Sequence, residues 1–452
     1  MRSININRIV DESKFNRFHA LVVFWCAFII VCDGFDLVIY GAVVSVLMEE
    51  WSLTAVQAGT IGSLALIGMM CGAFIFAPLA DKIGRKNVII FCVLLFTVFT
   101  GLIAFSNSPM EFGIYRFISG LGLGGVFPVT VALMTEFSPK SIKNRLVTLM
   151  LCGYGIGGIL ASALAIFLIP NFGWKSMFLV GAMPILALPL LHKYLPESLG
   201  FLLAKNKKKE IGQLLSKIDP SYTPQDDDYE NVISSETGMQ VKKLFKNGRT
   251  SSTLLFWANF FLCLLITYGL STWLPKLMGQ AGFTLGSSLM FLLVLNVGGI
   301  SGALIGGWLA DRWSTKKVLI IFFVLNIVSL TLMGTQPNTF MLYALVAIAG
   351  ATTIGSQIIL YSYASQYYPI EIRSTGLGWA SGIGRLGGIL GPTLGGVILA
   401  LNLPLNQNFM VLAIPAAIAA VAIAFIDEVK YPVPTKEVAP EIQTLASGLK
   451  ER

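Results

Sequence analysis

Residues 77–86 read APLADKIGRK and residues 307–312 read GWLADR, so the triplet Leu-Ala-Asp occurs twice, 230 positions apart. Further pairs keep the same spacing: Gly68 and Gly298, Gly72 and Gly302, Pro139 and Pro369, and the run GGIL at 157–160 and 387–390. One spacing that holds over about ninety residues indicates an internal duplication. The sequence therefore predicts two halves of similar structure.

The chain is too hydrophobic for an ordinary soluble protein, because 55% of its 452 residues are hydrophobic and only 12% are charged. Apolar stretches of about 20 residues, the length that crosses a bilayer, recur between short polar turns. The pattern predicts about twelve membrane spans, at 20–48, 55–80, 87–105, 109–135, 146–170, 174–194, 253–275, 284–310, 317–335, 339–366, 373–400 and 408–427.

Six predicted spans precede the long polar segment 195–252 and six follow it. We therefore predict an all-α integral membrane protein whose twelve transmembrane helices form two six-helix bundles related by the internal repeat. Such repeats suit alternating access, in which a site between the bundles opens to each side in turn. The predicted parts are an N-terminal segment (1–19), a first bundle (20–194), a linker (195–252), a second bundle (253–427) and a C-terminal tail (428–452).

Positive charge sets the expected orientation, because short cytoplasmic loops retain Lys and Arg. With the N-terminus inside, the external loops contain only Lys175 and Lys276. We therefore expect a multi-pass protein of the plasma or inner membrane, with both termini and the linker in the cytoplasm. This asymmetry and attraction to anionic membrane lipid explain the net charge of +8, so no nucleic-acid partner is expected.

The loop at 77–86 resembles the signature loop of the major facilitator superfamily of transporters, with Ala77 in place of its usual first glycine. The second copy keeps Gly307 but has Ser314 and Thr315 where Gly-Arg would follow. The run RFISGLGLGG at 116–125 resembles a further motif of that superfamily.

More narrowly, DGFD at 33–36 and GRLGG at 384–388 resemble the aromatic acid:proton symporter branch of the superfamily. Members of that branch import benzoate-type carboxylates. The resemblance covers nearly the whole chain and implies the superfamily fold, a small aromatic carboxylate as substrate and protons as the coupling ion.

The carboxylates of Asp33 and Asp36 lie within the first predicted span, where each is costly unless it is paired, hydrated or protonated. Their spacing puts them on one helix face together with Tyr40. The resemblance makes the first and fourth helices neighbours, which would bring Arg116 to an aspartate. We hypothesise that Asp33 or Asp36 carries the transported proton and, when protonated, releases Arg116. The alternative is a permanent ion pair that orients the helices.

Arg385 lies about twelve residues into the eleventh predicted span, near the middle of the membrane. A permanent cation at that depth needs an anion, and a guanidinium can bind a carboxylate through two directional hydrogen bonds. We predict that Arg385 binds the substrate carboxylate, with a direct pair to an aspartate as the alternative.

An aromatic substrate also needs flat apolar walls and a few polar groups. Several residues of the predicted helices could supply them, although each by itself is more typical of helix packing. These candidates are Tyr40, Phe127, Tyr154, Trp273, Asn296 and Tyr361.

The two loop copies contain candidates for a gate. Asp81 can bond a neighbouring helix end, Gly84 permits a tight turn and Arg85 supplies a charge-assisted contact. Asp311 and Arg312 are the candidates in the second copy. The alternative is that these charges only set the topology. An acid within a basic loop favours the gate.

Six cysteines lie in apolar spans without a CxxC spacing, and the two histidines have no metal-ligand or catalytic context. We therefore predict no enzyme activity, no metal and no cofactor. The sequence contains no GxxxxGK[ST] loop, which leaves an ion gradient, here of protons, as the energy source.

Three functions fit these patterns. The first is import of benzoate or a hydroxybenzoate by proton symport, by a protein that works as a monomer. The second is transport of another solute, such as nicotinate, an aliphatic carboxylate, a sugar or a drug, on the same fold. The third is a receptor that transports nothing. A neutral sugar needs no mid-membrane cation, so Arg385 and the paired aspartates favour the first function.

Overall fold

The computed structural model of this chain describes residues 2–224, 227–230, 241–246, 248–335 and 337–427. Twelve helical segments among these residues are long and apolar enough to cross a membrane. The predicted fold class, twelve transmembrane helices in two six-helix bundles, is confirmed. The predicted tail 428–452 lies outside the described residues.

A short strand and helix precede the first bundle, which ends with an interrupted sixth span. These elements are β1 (Arg2–Asn5), α1 (Ile6–Glu12), α2 (Arg17–Glu50), α3 (Ala55–Ile83), α4 (Arg85–Ile103), α5 (Pro109–Glu136), α6 (Lys143–Phe172), α7 (Lys175–Gly181), a 3₁₀ turn (Met183–Ala187) and α8 (Leu188–Tyr194). The sixth span was predicted as one segment. Pro184 and Pro189 interrupt it because neither has a backbone N–H to donate.

The segment between the bundles and the second bundle follow the same order along the chain. Their elements are α9 (Leu199–Ala204), α10 (Lys208–Ile218), β2 (Asp227–Glu230), α11 (Val241–Leu244), α12 (Thr250–Gln280), α13 (Leu285–Arg312), α14 (Thr315–Met333), α15 (Thr339–Tyr367), α16 (Ile370–Ala400) and α17 (Leu405–Ala424).

The internal repeat is visible in where the helices begin. α3 and α13, α4 and α14, α5 and α15, and α7 and α17 each begin 230 positions apart. The caps repeat as well, since the hydroxyls of Thr54 and Thr284 each accept a backbone N–H three residues later. The duplication therefore fixes helix boundaries as well as motifs.

The two bundles also repeat their packing. α2 packs on α6 and α3 on α5 in the first bundle, as α12 does on α16 and α13 on α15 in the second. Gly68 of α3 faces the carbonyl of Phe117, and Gly298 of α13 faces the carbonyl of Ala347 at the matched position. A Cβ at either glycine would collide with that backbone, so the glycines permit close helix approach.

The bundles meet through α3 and α16, α6 and α13, and α2 and α12. We call the side where α2 begins and α17 ends the terminal side, and the opposite one the far side. Every side-chain hydrogen bond described between the bundles lies at mid-membrane or toward the far side. For example, the hydroxyl of Ser63 bonds the carbonyl of Ile389 at 2.5 Å and the hydroxyl of Thr393 at 2.8 Å. The bundles are therefore closed against each other on the far side.

On the terminal side, the chain's N-terminal segment holds the first part of the linker. β1 pairs in parallel with β2, with Arg2 opposite Asp227. The side-chain amide of Asn16 donates to the carbonyls of Lys217 and Ile218, at 3.0 and 2.9 Å, at the end of α10. We call β1, Asn16, α10 and β2 the N-terminal clasp.

The last part of the linker is attached to the second bundle. α11 packs on α16, and the hydroxyl of Thr253 donates to the carbonyl of Leu244 at 3.0 Å. The described ends of the linker are thus divided between the two bundles.

Candidate functional site

Asp36 and Arg116 form a buried ion pair within the first bundle. Nη1 of Arg116 donates to Oδ2 of Asp36 at 2.8 Å, and both side chains are 2% exposed. Oδ1 of Asp36 accepts from the hydroxyl of Thr100 at 2.8 Å. The guanidinium lies 5.6 Å from the ring centre of Tyr40, whose hydroxyl donates to the carbonyl of Ala58. Asp36 is therefore well satisfied as an anion.

Asp33 is in a different situation one turn away on α2. Its side chain is buried, and neither carboxylate oxygen has a hydrogen-bond partner in the described part of the chain. Asp36 and Arg385 are both close enough to act on it electrostatically. The sequence placed both acids on one face but did not show which of them pairs with Arg116.

Arg385 is the middle residue of α16 and reaches from the second bundle to the first. Its Nη1 donates to the carbonyl of Met69 on α3 at 3.3 Å. No carboxylate of the described residues lies within ion-pair distance of its guanidinium. The rest of this planar donor group is therefore available to an anion between the bundles.

Two tyrosines bridge the bundles beside these charges. The hydroxyls of Tyr154 on α6 and Tyr268 on α12 lie 3.1 Å apart, and Asp33 and Arg385 both act on them electrostatically. Tyr154 was predicted from the sequence, whereas Tyr268 was missed. Its depth, eighteen residues into α12, was the signal that could have identified it.

Tyr361 lies next to Arg385 on the second bundle. Its hydroxyl donates to that of Ser381 at 2.8 Å, and its ring meets Phe260 edge to face with 4.7 Å between ring centres. Ser381 precedes Arg385 by one helical turn on α16 and was not among the predicted residues.

The other predicted aromatic and amide candidates are used in packing. The indole N–H of Trp273 donates to the carbonyl of Pro392 at 2.8 Å within the second bundle. Asn296 donates to the carbonyl of Leu292 at 2.8 Å, and Phe127 packs against the core of the first bundle. The described hydrogen bond of the Trp273 side chain goes to Pro392 rather than to Arg385.

The first loop copy is tied to its own bundle. Gly84 has a φ of 100° and links the end of α3 to the start of α4, a conformation that favours glycine. Nη1 of Arg85 contacts Oε2 of Glu136 at 2.5 Å. The other oxygen of Glu136 accepts from the hydroxyl of Ser198 and the N–H of Gly200, at the start of the linker. Glu136 was missed by the sequence analysis.

Asp81, Asp311 and Arg312 are exposed on the terminal side. Asp81 has no hydrogen-bond or ion-pair partner among the described residues, and the guanidinium of Arg312 lies 4.2 Å from the ring centre of Trp308. Among the described residues, no hydrogen bond or ion pair links the predicted gate residues of one loop to those of the other.

The sequence model of the Major Facilitator Superfamily matches residues 26–306 and 291–451. The chain belongs to the Major Facilitator Superfamily. It is therefore a multi-pass membrane transport protein rather than an enzyme, as its sequence predicted.

Members of this superfamily with curated functions align along almost the whole chain. The benzoate transport protein of Acinetobacter baylyi is 43% identical over 100% of this chain and 99% of its own. The gentisate transporter of Corynebacterium glutamicum is 35% identical over 90% and 87%. Among solved structures, the xylose transporter XylE from E. coli, in a partially occluded inward open conformation, superposes with a TM-score of 0.71. It is 16% identical over 92% of this chain and 99% of its own, which shows the fold alone.

Proposed function

We propose that this protein imports an aromatic carboxylate, of the benzoate or hydroxybenzoate type, by proton symport through alternating access. The observation that carries the proposal is the free side of the Arg385 guanidinium at mid-membrane, between the bundles. The names of the relatives, which include a benzoate and a gentisate transporter, agree with an aromatic acid as the substrate.

Arg385 would hold the carboxylate of the substrate. A guanidinium presents parallel N–H groups to a carboxylate, and inside the membrane these charge-assisted bonds are stronger than in water. Because Nη1 is already fixed by the carbonyl of Met69, the side chain is positioned before the substrate arrives. The aromatic rings of Tyr154, Tyr268 and Tyr361 supply apolar surface around it.

Asp33 would carry the proton. Without substrate, Asp33 would balance the charge of Arg385 whenever it is ionised. A substrate carboxylate at Arg385 adds a second anion, and a proton on Asp33 restores neutrality. Asp36 is the weaker candidate because Arg116 and Thr100 already satisfy its charge. Substrate and proton would therefore bind together, which is the requirement for symport.

The closed far side and exposed loops correspond to an inward-facing state if the terminal side is the cytoplasmic side. That orientation follows from the concentration of Lys and Arg on the terminal side. The protein would then lie in the plasma or inner membrane with both termini cytoplasmic. We propose that it works as a monomer, with the proton gradient as its energy source and no cofactor.

The test is accumulation of labelled benzoate by cells that express the protein, at a pH where benzoate is ionised and beside cells with an empty vector. We expect accumulation that a protonophore abolishes. Arg385→Ala should lower uptake about 100-fold, because the carboxylate loses a charge-assisted pair, and Arg385→Lys should restore part of it. Chromatographic behaviour in detergent controls for folding.

Benzoate uptake that survives both the protonophore and Arg385→Ala would contradict the proposal. Lack of benzoate uptake by the folded wild-type protein would remove benzoate as its substrate. Nicotinate, aliphatic acids and sugars would then be assayed in its place.

A further inference from the structure

The wall that α16 presents to the site carries two polar positions one helical turn apart. Ser381 and Arg385 lie four residues apart, so they share a helix face and are separated by about 6 Å along the axis. The Met69 carbonyl that binds Arg385 lies fourteen residues from the far-side start of α3, and Arg385 lies fifteen from the far-side end of α16. The guanidinium therefore stays near the depth of its own backbone, and Ser381 lies closer to the terminal side.

The O–H group of Ser381 remains free to donate a hydrogen bond. Tyr361 donates its single hydroxyl proton to Oγ of Ser381 at 2.8 Å. The O–H of Ser381 is then directed away from Tyr361, and no acceptor for it lies among the described residues. Because Oγ already accepts a bond, its own O–H is polarised and becomes a better donor.

Room for a ring adjoins this donor. A Cβ built at Gly378 or Gly382 would meet no atom within 4 Å, so the backbone of α16 borders open space beside Ser381. Gly378 follows the face of Arg385 two turns further toward the terminal side. A planar ring can therefore extend from Arg385 along α16 past Ser381 without meeting a side chain at either glycine.

We infer that Ser381, held by Tyr361, is a specificity residue that hydrogen-bonds a hydroxyl on the substrate ring opposite the carboxylate. The inference rests on the proposed function. With the carboxylate on Arg385 and the ring extending along α16 toward the terminal side, the ring position opposite the carboxylate is the one directed toward Ser381 and the open space at Gly378 and Gly382. Arg385 and Ser381 together would recognise a para-hydroxylated benzoate. An unsubstituted benzoate would bind Arg385 but leave the Ser381 O–H without an acceptor.

The test compares how well benzoate and its 2-, 3- and 4-hydroxy derivatives compete for uptake of the labelled acid. Ser381→Ala should weaken competition by 4-hydroxybenzoate about tenfold and leave that by benzoate within about twofold. Tyr361→Phe should weaken it less, because Ser381 keeps its hydroxyl. Ser381→Thr should restore the preference for the 4-hydroxy compound, since it returns a hydroxyl at the same place.

Ser329→Ala is the matched control, because Ser329 is buried in α14 and its hydroxyl bonds its own helix at 3.0 Å. An equal loss for benzoate and all three hydroxy compounds in Ser381→Ala would overturn the inference and leave the proposed function standing. A loss confined to the 2-hydroxy compound would overturn the para assignment. Failure of the wild-type protein to take up any of these acids would instead overturn the proposed function.

Discussion

At matched positions of the repeat, the first bundle carries Asp33, Asp36 and Arg116, where the second carries Cys263, Ile266 and Val346. Arg385 of the second bundle corresponds in turn to Gly155 of the first. The helices of Arg116 and Val346, α5 and α15, begin 230 positions apart. On the other helices the spacing is kept by close contacts, since Gly157 faces the carbonyl of Val31 and Gly387 faces that of Phe261. The same scaffold thus forms with and without each charge.

This comparison weighs against a purely structural role for the ion pair between Asp36 and Arg116. If the pair were needed to orient its helices, the second bundle would need a substitute, yet it uses two apolar side chains there. Replacing a buried ion pair by apolar residues is often neutral or stabilising, whereas it is retained here in one half only. The charges are therefore better explained by transport than by folding.

The loops differ in a related way. Arg85 pairs with Glu136 in the first bundle, and the matched residues Thr315 and Gln366 of the second meet through a hydrogen bond of 3.3 Å. The two bundles therefore share a side-chain contact at these matched positions, but only the contact in the first bundle is between charged groups. Only Glu136 of the two partners is shown to bond the linker as well, through Ser198 and Gly200.

The largest effect on stability and transport is expected when the ion pair of the first bundle is replaced by the apolar residues found at the matched positions of the second bundle. Arg116→Val alone should destabilise the protein by about 3–5 kcal/mol, because it leaves Asp36 as a buried charge without its partner. The double variant with Asp36→Ile should regain most of that stability and lack transport. Heat resistance in detergent and benzoate uptake measure the two properties.

Equal loss of stability in the single and double Arg116 variants would show that the scaffold depends on the ion pair. Full transport by the double variant would show that the pair is dispensable for function.

A smaller and more selective effect is expected at Asp33. Asp33→Cys, which copies Cys263, and Asp33→Asn should both abolish accumulation against a gradient, because no carboxylate remains there to take the proton. Exchange of labelled for unlabelled benzoate should persist within a few-fold of the wild-type rate, because Arg385 is intact. Proton-driven accumulation in either variant would exclude Asp33 as the proton carrier, with Asp36→Asn examined next.

The smallest effect is expected in the loop. Converting Arg85 to Thr and Glu136 to Gln together copies the second bundle and removes a pair whose side chains are 23% and 18% exposed. We expect a stability loss of about 1 kcal/mol and a few-fold slower uptake. Heat resistance and initial uptake rates measure it. A fall in the initial uptake rate that is much larger than the loss of heat resistance would indicate that the charge acts in gating.

The spans could be predicted from the sequence because hydrophobic length and the repeat are local signals. The broken sixth span could not be placed with the same certainty, since two prolines within an apolar run permit either a kink or a turn. The sequence also contains a pattern that predicts α10, the helix of the N-terminal clasp, although the sequence analysis did not use it. Ile211, Leu214, Leu215 and Ile218 have the spacing of one buried helix face within the polar linker.

The site residues could be proposed from the sequence, but their partners could not. A carboxylate within an apolar span marks Asp33 and Asp36 equally as candidates. Which of the two pairs with Arg116 depends on the directions of side chains on two different helices, and the sequence does not show those directions. Ser381 was missed because a single hydroxyl in an apolar helix has no pattern around it, and Tyr268 could have been identified only from its depth in α12. Tyr154 lies 114 residues from Tyr268, and Tyr361 lies 20 residues from Ser381 on a different helix, so only the fold brings each pair into contact.

β1 leaves the ribosome before the first bundle, whereas its partner β2 follows that entire bundle. During synthesis, Arg2–Asn5 must remain without that partner until six spans have been made. Pairing of the two strands therefore comes late in the assembly of the first bundle. A substitution that prevents this pairing would act at that step, after the spans themselves have been made.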